Sequence, residues 1–197
     1  FGFGRSHNLN LLSLSKSKNN YIFIIVNPDI QFYPNSLFKF IKRFYKSDFV
    51  CTAPLIRNKN GDIQYSAKNN PTILSLLIGR FSILKNISLF NNYYNDHINF
   101  FSSYTDNYIK CSYLSGCFLL IKSKTFFKIK GFDERFFLHL EDADISRKCS
   151  IEGEVVHDPS CTVIHYWARG SHKSLKQGFY LIISMIKYFL KWGFKII

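Results

Sequence analysis

The sequence predicts an α/β sandwich built around a largely parallel sheet, and three observations carry that expectation. Residues 21–26 (YIFIIV) form a continuous apolar, β-rich run, the pattern of a strand buried on both faces. Leu37, Phe40, Ile41 and Phe44 then recur at helical spacing within residues 36–46. Strand-like and helix-like segments go on alternating to the C-terminus, the order that builds parallel sheets with helices on their faces.

Before the first strand, residues 1–10 (FGFGRSHNLN) read as a glycine-rich loop leading into a short helix that ends near the polar stretch 15–20. Asn27-Pro28-Asp29 breaks the strand. After the helix at 36–46 come a strand at 49–53 and a loop from 54 to 71, with a turn at Asn60-Gly61-Asp62. Residues 72–90 read as helix, and 91–107 are polar and aromatic without a period. Residues 111–121 form a strand-like run containing Gly116, followed by a short helix at 123–129 and a loop at 131–137 (GFDERFF). A helix is expected over 141–152, short strands near Val155 and at 161–164, and a C-terminal helix from Gly178. Ligands of such sheets bind beyond the carboxyl ends of strands, which points at Asn27–Asp29 and at His165.

With 197 residues, 47% hydrophobic and 18% aromatic, the chain has the material for one domain with a core, and disorder is excluded. The net charge of +13 favours anionic partners such as nucleic acid, anionic lipid or phosphate-bearing small molecules. The cations are scattered and accompany no nucleic-acid-binding signature. Five cysteines without a CxxC pair argue against a disulfide framework or a structural zinc site, and fit buried thiols in a reducing compartment. No cleavable signal peptide and no apolar run of about 18–20 residues is present, so a cytoplasmic location is expected.

The acids are unevenly spread. Of 13 Asp and Glu, five are Asp133, Glu134, Glu141, Asp142 and Asp144, on an otherwise basic protein. Carboxylates in the first turn of a helix favour its dipole, and Asp144 has Arg147 and Lys148 at pairing distance along the helix. Asp29 follows a strand, with Pro28 fixing the backbone between it and Asn27. A carboxylate placed so either suits a hard cation or caps a turn. His165 closes the strand-like CTVIH, and imidazole with carboxylate is a reasonable manganese set.

Taken in order, Asn27-Pro28-Asp29, Ser115-Gly116-Cys117, GFDERFF, Glu141-Asp142-Ala143-Asp144 and the strand ending in His165 resemble the family 2 glycosyltransferases, and within them the rhamnosyltransferase-like branch. The resemblance covers nearly the whole chain, most specifically residues 114–165. It implies the GT-A fold, a three-layer α/β sandwich with a mostly parallel sheet, over residues 1–177. Residues 178–197 read by their own pattern as an amphipathic helix, either at the lipid interface or packed on the domain's own core. Relatives open with a further strand and helix that bind the nucleobase, so the expected domain lacks its N-terminal strand–helix unit and leaves a sheet edge open.

The same resemblance implies roles. Asp29 binds Mg²⁺ or Mn²⁺, helped by His165, with Asn27 standing where many relatives have the first Asp of the motif. Asp142 is the general base, in the Glu141-Asp142 acid pair. Arg5 and Asn8 lie near the nucleotide, and Arg147 partners either the diphosphate or the acids. The implied reaction is inverting transfer of a sugar, dTDP-L-rhamnose being the favoured donor, to a lipid-linked or polysaccharide acceptor of O-antigen or capsule type. Lys187, Lys191 and Lys195 recur every four residues, with Lys173 and Lys176 upstream, and suit peripheral contact with the anionic inner face of the cell membrane. Two alternatives stay open: an inactive or merely carbohydrate-binding remnant of the same fold, and a basic nucleic-acid-binding protein, which the acid cluster disfavours.

Overall fold

The computed structural model describes residues 2–14, 20–166 and 175–197. Most of the polar stretch expected to end the first helix, and Lys173, lie outside them.

Strand β1 (Ile22–Val26) leads through a turn to β2 (Ile30–Phe32), helix α2 (Pro34–Lys46) and β3 (Cys51–Asn58). Farther along come the short strands β4 (Ala67–Lys68), β5 (Ile109–Lys110) and β6 (Tyr113–Leu114), then β7 (Phe118–Lys122) and β8 (Val155–His165). The main sheet has the order β1-β7-β3-β8-β2, with β5 also on β8. Only β3 and β8 run parallel among the described strands, and the other pairs of this sheet are antiparallel. The expected mostly parallel sheet is therefore corrected to a mixed one. The reason is connection length: about ninety residues separate β1 from β7, and so long a connection leaves strand direction to packing, unlike a short helical crossover.

β1 is also an edge strand, not one buried on both faces. Ile25 points into the core at 2% exposure, while Ile24 and Val26 keep 42% and 38% of their surface. The strand buried on both faces is β7, whose Phe118, Leu119, Leu120 and Ile121 are fully buried. Leu119 and Ile121 pack with Ile145 and Cys149 of α6 (Glu141–Glu152), and Phe118 and Leu120 with Phe40 and Phe44 of α2. These two layers sandwich the sheet. All five cysteines are free and buried.

The two expected strands at 155 and 161–164 are one strand with a bulge. Pro54 pairs with Asp158 but Leu55 with Thr162, so the extra residues of β8 fall at Pro159, which has no N–H for the ladder. The expected helix over 72–90 is divided into α3 (Ile73–Arg80), a 3₁₀ turn (Ser82–Asn86) and α4 (Ser88–His97). Thr72 and Ser75 cap α3 reciprocally. The glycine-rich start is helical as well: α1 spans Phe3–Leu14. Gly4 serves packing there, since a Cβ on it would lie 2.7 Å from Phe132 Cβ.

After the short helix α5 (Ser123–Lys128) and α6, the last helix is α7 (Leu175–Trp192). It lies against the domain, burying Tyr188 and Phe189 with Phe136, Leu140 and Ala143. Its lysines form no free stripe. Lys191 Nζ lies 2.7 Å from Asp144 and 2.9 Å from Asp133, Lys187 donates to the Arg135 carbonyl, and Lys195 falls beyond the helix end. An ammonium between the buried Asp144 and the half-buried Asp133 gains more than one held in water at the surface, and this draws Lys191 inward.

Candidate active site

Two clusters of polar groups meet at the Gly116-Cys117 strip ahead of β7. The first forms where β1 ends. The Asn27 N–H donates to the Cys117 carbonyl at 2.9 Å, Ile30 N–H closes the turn onto the Asn27 carbonyl, and Tyr166 N–H donates to the Asp29 carbonyl at 2.9 Å. The β2–β8 register sets Ile30 opposite His165, which brings Asp29 Oδ1 to 3.3 Å from His165 Nε2.

On the far side of the ring, His165 Nδ1 lies 3.0 Å from Gln64 Oε1. A carbonyl oxygen only accepts, so with the Gln64 amide turned this way Nδ1 is the donor and Nε2 faces Asp29. Burial lowers the His165 pKa against the pull of Asp29, which keeps the ring neutral at neutral pH. Asp29 Oδ1 is itself buried, and among the described residues His165 is the one polar side chain it faces. Two electron-rich atoms facing each other at this distance are stabilised by a cation between them. A carboxylate oxygen with a neutral, tautomer-fixed imidazole is a donor set for Mn²⁺ or Mg²⁺. Among the described residues no third His, Cys, Asp or Glu converges, so such a cation keeps most of its positions for water and substrate oxygens.

The second cluster opens α6. His139 and Leu140 both take left-handed backbone conformations, with φ of 69° and 62°, a strain of about 1–3 kcal/mol each that clusters at functional sites. Buried Leu140 packs with Tyr113 and Tyr188, which holds the turn. It presents Asp142 to the strip: Oδ2 accepts from Gly116 N–H at 3.0 Å and from the Tyr113 hydroxyl at 3.3 Å, while Oδ1 accepts from Ala143 N–H at 2.9 Å. Three donors and no acceptor is the environment of a carboxylate. The approach requires glycine, because a Cβ on Gly116 would stand 2.8 Å from Asp142 Cβ. Half-buried Lys68 reaches over the Tyr113 ring, Nζ 4.7 Å from its centroid; burial lowers the Lys68 pKa and the Asp142 charge opposes this.

Glu141 differs from its neighbour. Burial, joined by the Asp142 charge, pushes its carboxyl up to about 8, and Oε2 is buried without a hydrogen bond. At neutral pH this carboxyl holds a proton. An unfolded glutamate titrates near about 4.3, so the folded state binds the proton more tightly. Stability is then highest below the unfolded value, falls as pH rises toward the folded one, and levels off above about 8. Glu141→Gln removes this loss. Urea unfolding across that range is expected to show the variant gaining on the parent as pH rises, and a gap that does not change with pH contradicts the assignment.

Asp144 is used for structure. It is fully buried and takes Lys191 Nζ and the Trp192 indole N–H at 2.7 Å, tying α6 to α7, instead of pairing with Arg147 or Lys148. Arg147 faces α7 too, over the Trp192 ring at 4.5 Å and 3.3 Å from the Tyr188 hydroxyl. Asn8 clamps the GFDER loop, donating to the Phe132 carbonyl and accepting from the Phe132 N–H, both at 2.9 Å. Arg5 stands 3.7 Å from Glu134. The expected residues therefore divide: Asn27, Asp29, His165, Glu141 and Asp142 surround the strip, Arg147 braces α7, and Arg5 and Asn8 brace the loop. The Cys117 thiol records the meeting, pushed up to about 12 by burial and then by Asp142, with a smaller part from Asp29. Gln64, Tyr113 and Lys68 escaped the sequence reading, and Lys191 entered it as a surface cation. Gln64 lies in a stretch read as loop, and only the three-dimensional register brings it to His165.

No protein-family model matches the chain. In sequence it is similar to N-acetylglucosaminyl-diphospho-decaprenol L-rhamnosyltransferase of Mycobacterium tuberculosis, 27% identical over 157 residues, covering 75% of this chain and 48% of that protein. It is also similar to rhamnosyltransferase WbbL of Escherichia coli K12, 25% identical over 173 residues, covering 84% of this chain and 61% of that one. The chain thus spans about half to three-fifths of the length of these curated relatives. Among solved structures it resembles GalNAc-T7 with UDP, GalNAc and Mn²⁺, with a TM-score of 0.53 and 16% identity over 82% of this chain and 30% of that one. The fold is GT-A, and the resemblance to rhamnosyltransferases read from the motifs holds in these relatives.

Proposed function

We propose that the chain is the catalytic unit of an inverting glycosyltransferase, moving L-rhamnose from dTDP-L-rhamnose to a lipid-linked diphosphate sugar at the inner face of a bacterial membrane. The observation that carries this reading is the Gly116-Cys117 strip. Its Gly116 N–H holds Asp142 and its Cys117 carbonyl holds the Asp29 turn, so an acidic base and a cation-binding pair flank one small-residue gap. The rhamnosyltransferase relatives support the sugar, and the name of the mycobacterial relative supports an N-acetylglucosaminyl-diphospho-lipid acceptor.

In this reading Asp142 takes the proton of the acceptor hydroxyl while that oxygen bonds to the anomeric carbon from the face opposite the leaving group. The bond from that carbon to the nucleoside diphosphate breaks, and the diphosphate leaves with its electron pair. Asp29 and His165 would hold Mn²⁺ or Mg²⁺, which would supply positive charge against the charge growing on the diphosphate. One carboxylate base suffices, because an inverting transfer forms no glycosyl-enzyme intermediate. Protonated Glu141 adds no second negative charge beside the base.

The test is a transfer assay with dTDP-L-rhamnose, Mn²⁺ and an N-acetylglucosaminyl-diphospho-lipid, followed by mass spectrometry. A product heavier by one deoxyhexose, of inverted anomeric configuration, is expected. Nucleotide binding without transfer to any lipid-linked acceptor contradicts the reading and returns the chain to a binding role.

A further inference from the structure

The face of α7 turned away from α6 is apolar and uncovered. Phe179, Ile182, Ile186 and Leu190, spaced three, four and four residues apart, are 61%, 57%, 52% and 71% exposed, which makes one stripe about 16 Å long. A second patch starts where α3 ends. Phe81, Ile83, Ile87 and Leu89, in and around the 3₁₀ turn, are each at least half exposed. The two patches adjoin. Ile73 and Leu76 of α3 pack against the same buried cluster that holds Tyr188 and Phe189 of α7, and Gly178 passes so near Arg80 that a Cβ there would lie 3.4 Å from the guanidinium.

The stretches that carry this surface hold charge of one sign. The sequence holds no Asp or Glu between Asp62 and Asp96, and none after Asp158. Both patches come from these acid-free stretches, and the cations among and beside them are Arg80, Lys85, Lys176 and Lys187. Contiguous apolar surface of this kind marks an interaction site. A second copy would set the cations against their own kind, which disfavours self-pairing. An anionic bilayer accepts both features, apolar side chains below the headgroups and cations among them. None of the described helices is long and apolar enough to cross a membrane, so contact is interfacial.

We infer that α7 and the 3₁₀ turn together form a docking surface for anionic lipid, through the apolar stripe of α7 and not through a stripe of Lys187, Lys191 and Lys195. This rests on the proposed lipid-linked acceptor and adds how the site meets it. The helix that lies on the bilayer also holds Asp144 through Lys191 and Trp192, two residues from Asp142, so docking is tied to the helix that carries the base.

The experiment is co-sedimentation of the chain with vesicles of phosphatidylglycerol and phosphatidylethanolamine, and with vesicles of phosphatidylcholine alone. The combined variant Ile182→Asn, Ile186→Asn, Leu190→Asn alters only exposed side chains, and Arg80→Gln with Lys176→Gln forms a second, charge-only variant. The parent is expected to sediment with anionic vesicles and to be released by salt. The apolar variant should lose roughly tenfold or more of that partitioning, and the charge variant a smaller part. A parent that stays in the supernatant at low salt, an apolar variant that sediments like the parent, or a parent dimer abolished by the same substitutions overturns the inference. Binding of dTDP with Mn²⁺ is measured alongside. Its absence from a parent that sediments strikes the enzymatic reading alone, and its persistence in a parent that does not sediment strikes the docking surface alone.

Discussion

Asp142→Asn is expected to lower glycosyl transfer by about 100- to 10,000-fold, the usual loss when a general base is removed, while dTDP still binds in the presence of Mn²⁺. The amide keeps the size of the carboxylate but cannot take a proton. It also cannot satisfy every donor that the carboxylate serves. Oδ2 now receives Gly116 N–H and the Tyr113 hydroxyl, and Oδ1 receives Ala143 N–H. An amide nitrogen on either side leaves one backbone N–H facing another donor, at about 1–3 kcal/mol. The variant should therefore unfold somewhat earlier than the parent, and the rate loss must be read on protein shown to bind nucleotide. Near-normal turnover contradicts the assignment with little room for a substitute. Glu141 holds its own proton at neutral pH, and both oxygens of Asp144 are engaged by Lys191 and Trp192.

Lys191→Met is expected to be the most destabilising single change among the site's supports. Methionine fits the aliphatic volume but removes the cation between Asp133 and Asp144. Asp133 keeps Arg135, whose hydrogen bonds are the main cause holding its carboxyl well below the usual range. Among the described residues Asp144 keeps one side-chain hydrogen bond, from the Trp192 N–H, although it is fully buried. Breaking such a pair from one side costs about 3–5 kcal/mol. Urea unfolding measures the loss, and a double-mutant cycle with Asp144→Asn should recover a good part of it, because the stranded charge is then gone. Additive losses would place the role of Lys191 elsewhere.

Much of the candidate site could be read in the sequence because its residues lie in short segments. Asn27-Pro28-Asp29 and Glu141-Asp142 each keep backbone and side chain within a few residues, and α6 has the expected bounds because an acidic first turn and Gly153 delimit it. What failed were inferences that need long-range register. β1 has the composition of a central strand, yet nothing local distinguishes an edge from a centre, and it is β7 that is buried on both faces. Gly2 and Gly4 suggested a loop, whereas Gly4 is small because Phe132 lies against it from across the chain. Arg147 was expected at the diphosphate or the acids, and its cation lies against aromatic rings of α7, which sequence spacing alone does not bring to α6. Lys191 looked like one of three surface lysines, but a four-residue period does not reveal which of them has carboxylates buried opposite.

The central claim, that Asp29 and His165 form a cation site serving the same reaction centre as Asp142, is tested most directly by calorimetric titration of dTDP into the parent chain with and without Mn²⁺, repeated on Asp29→Ala. The expected result is binding that strengthens markedly when Mn²⁺ is added to the parent, and that no longer responds to the metal in the variant. Equal affinity with and without Mn²⁺ in the parent, or an undiminished metal response in Asp29→Ala, contradicts it.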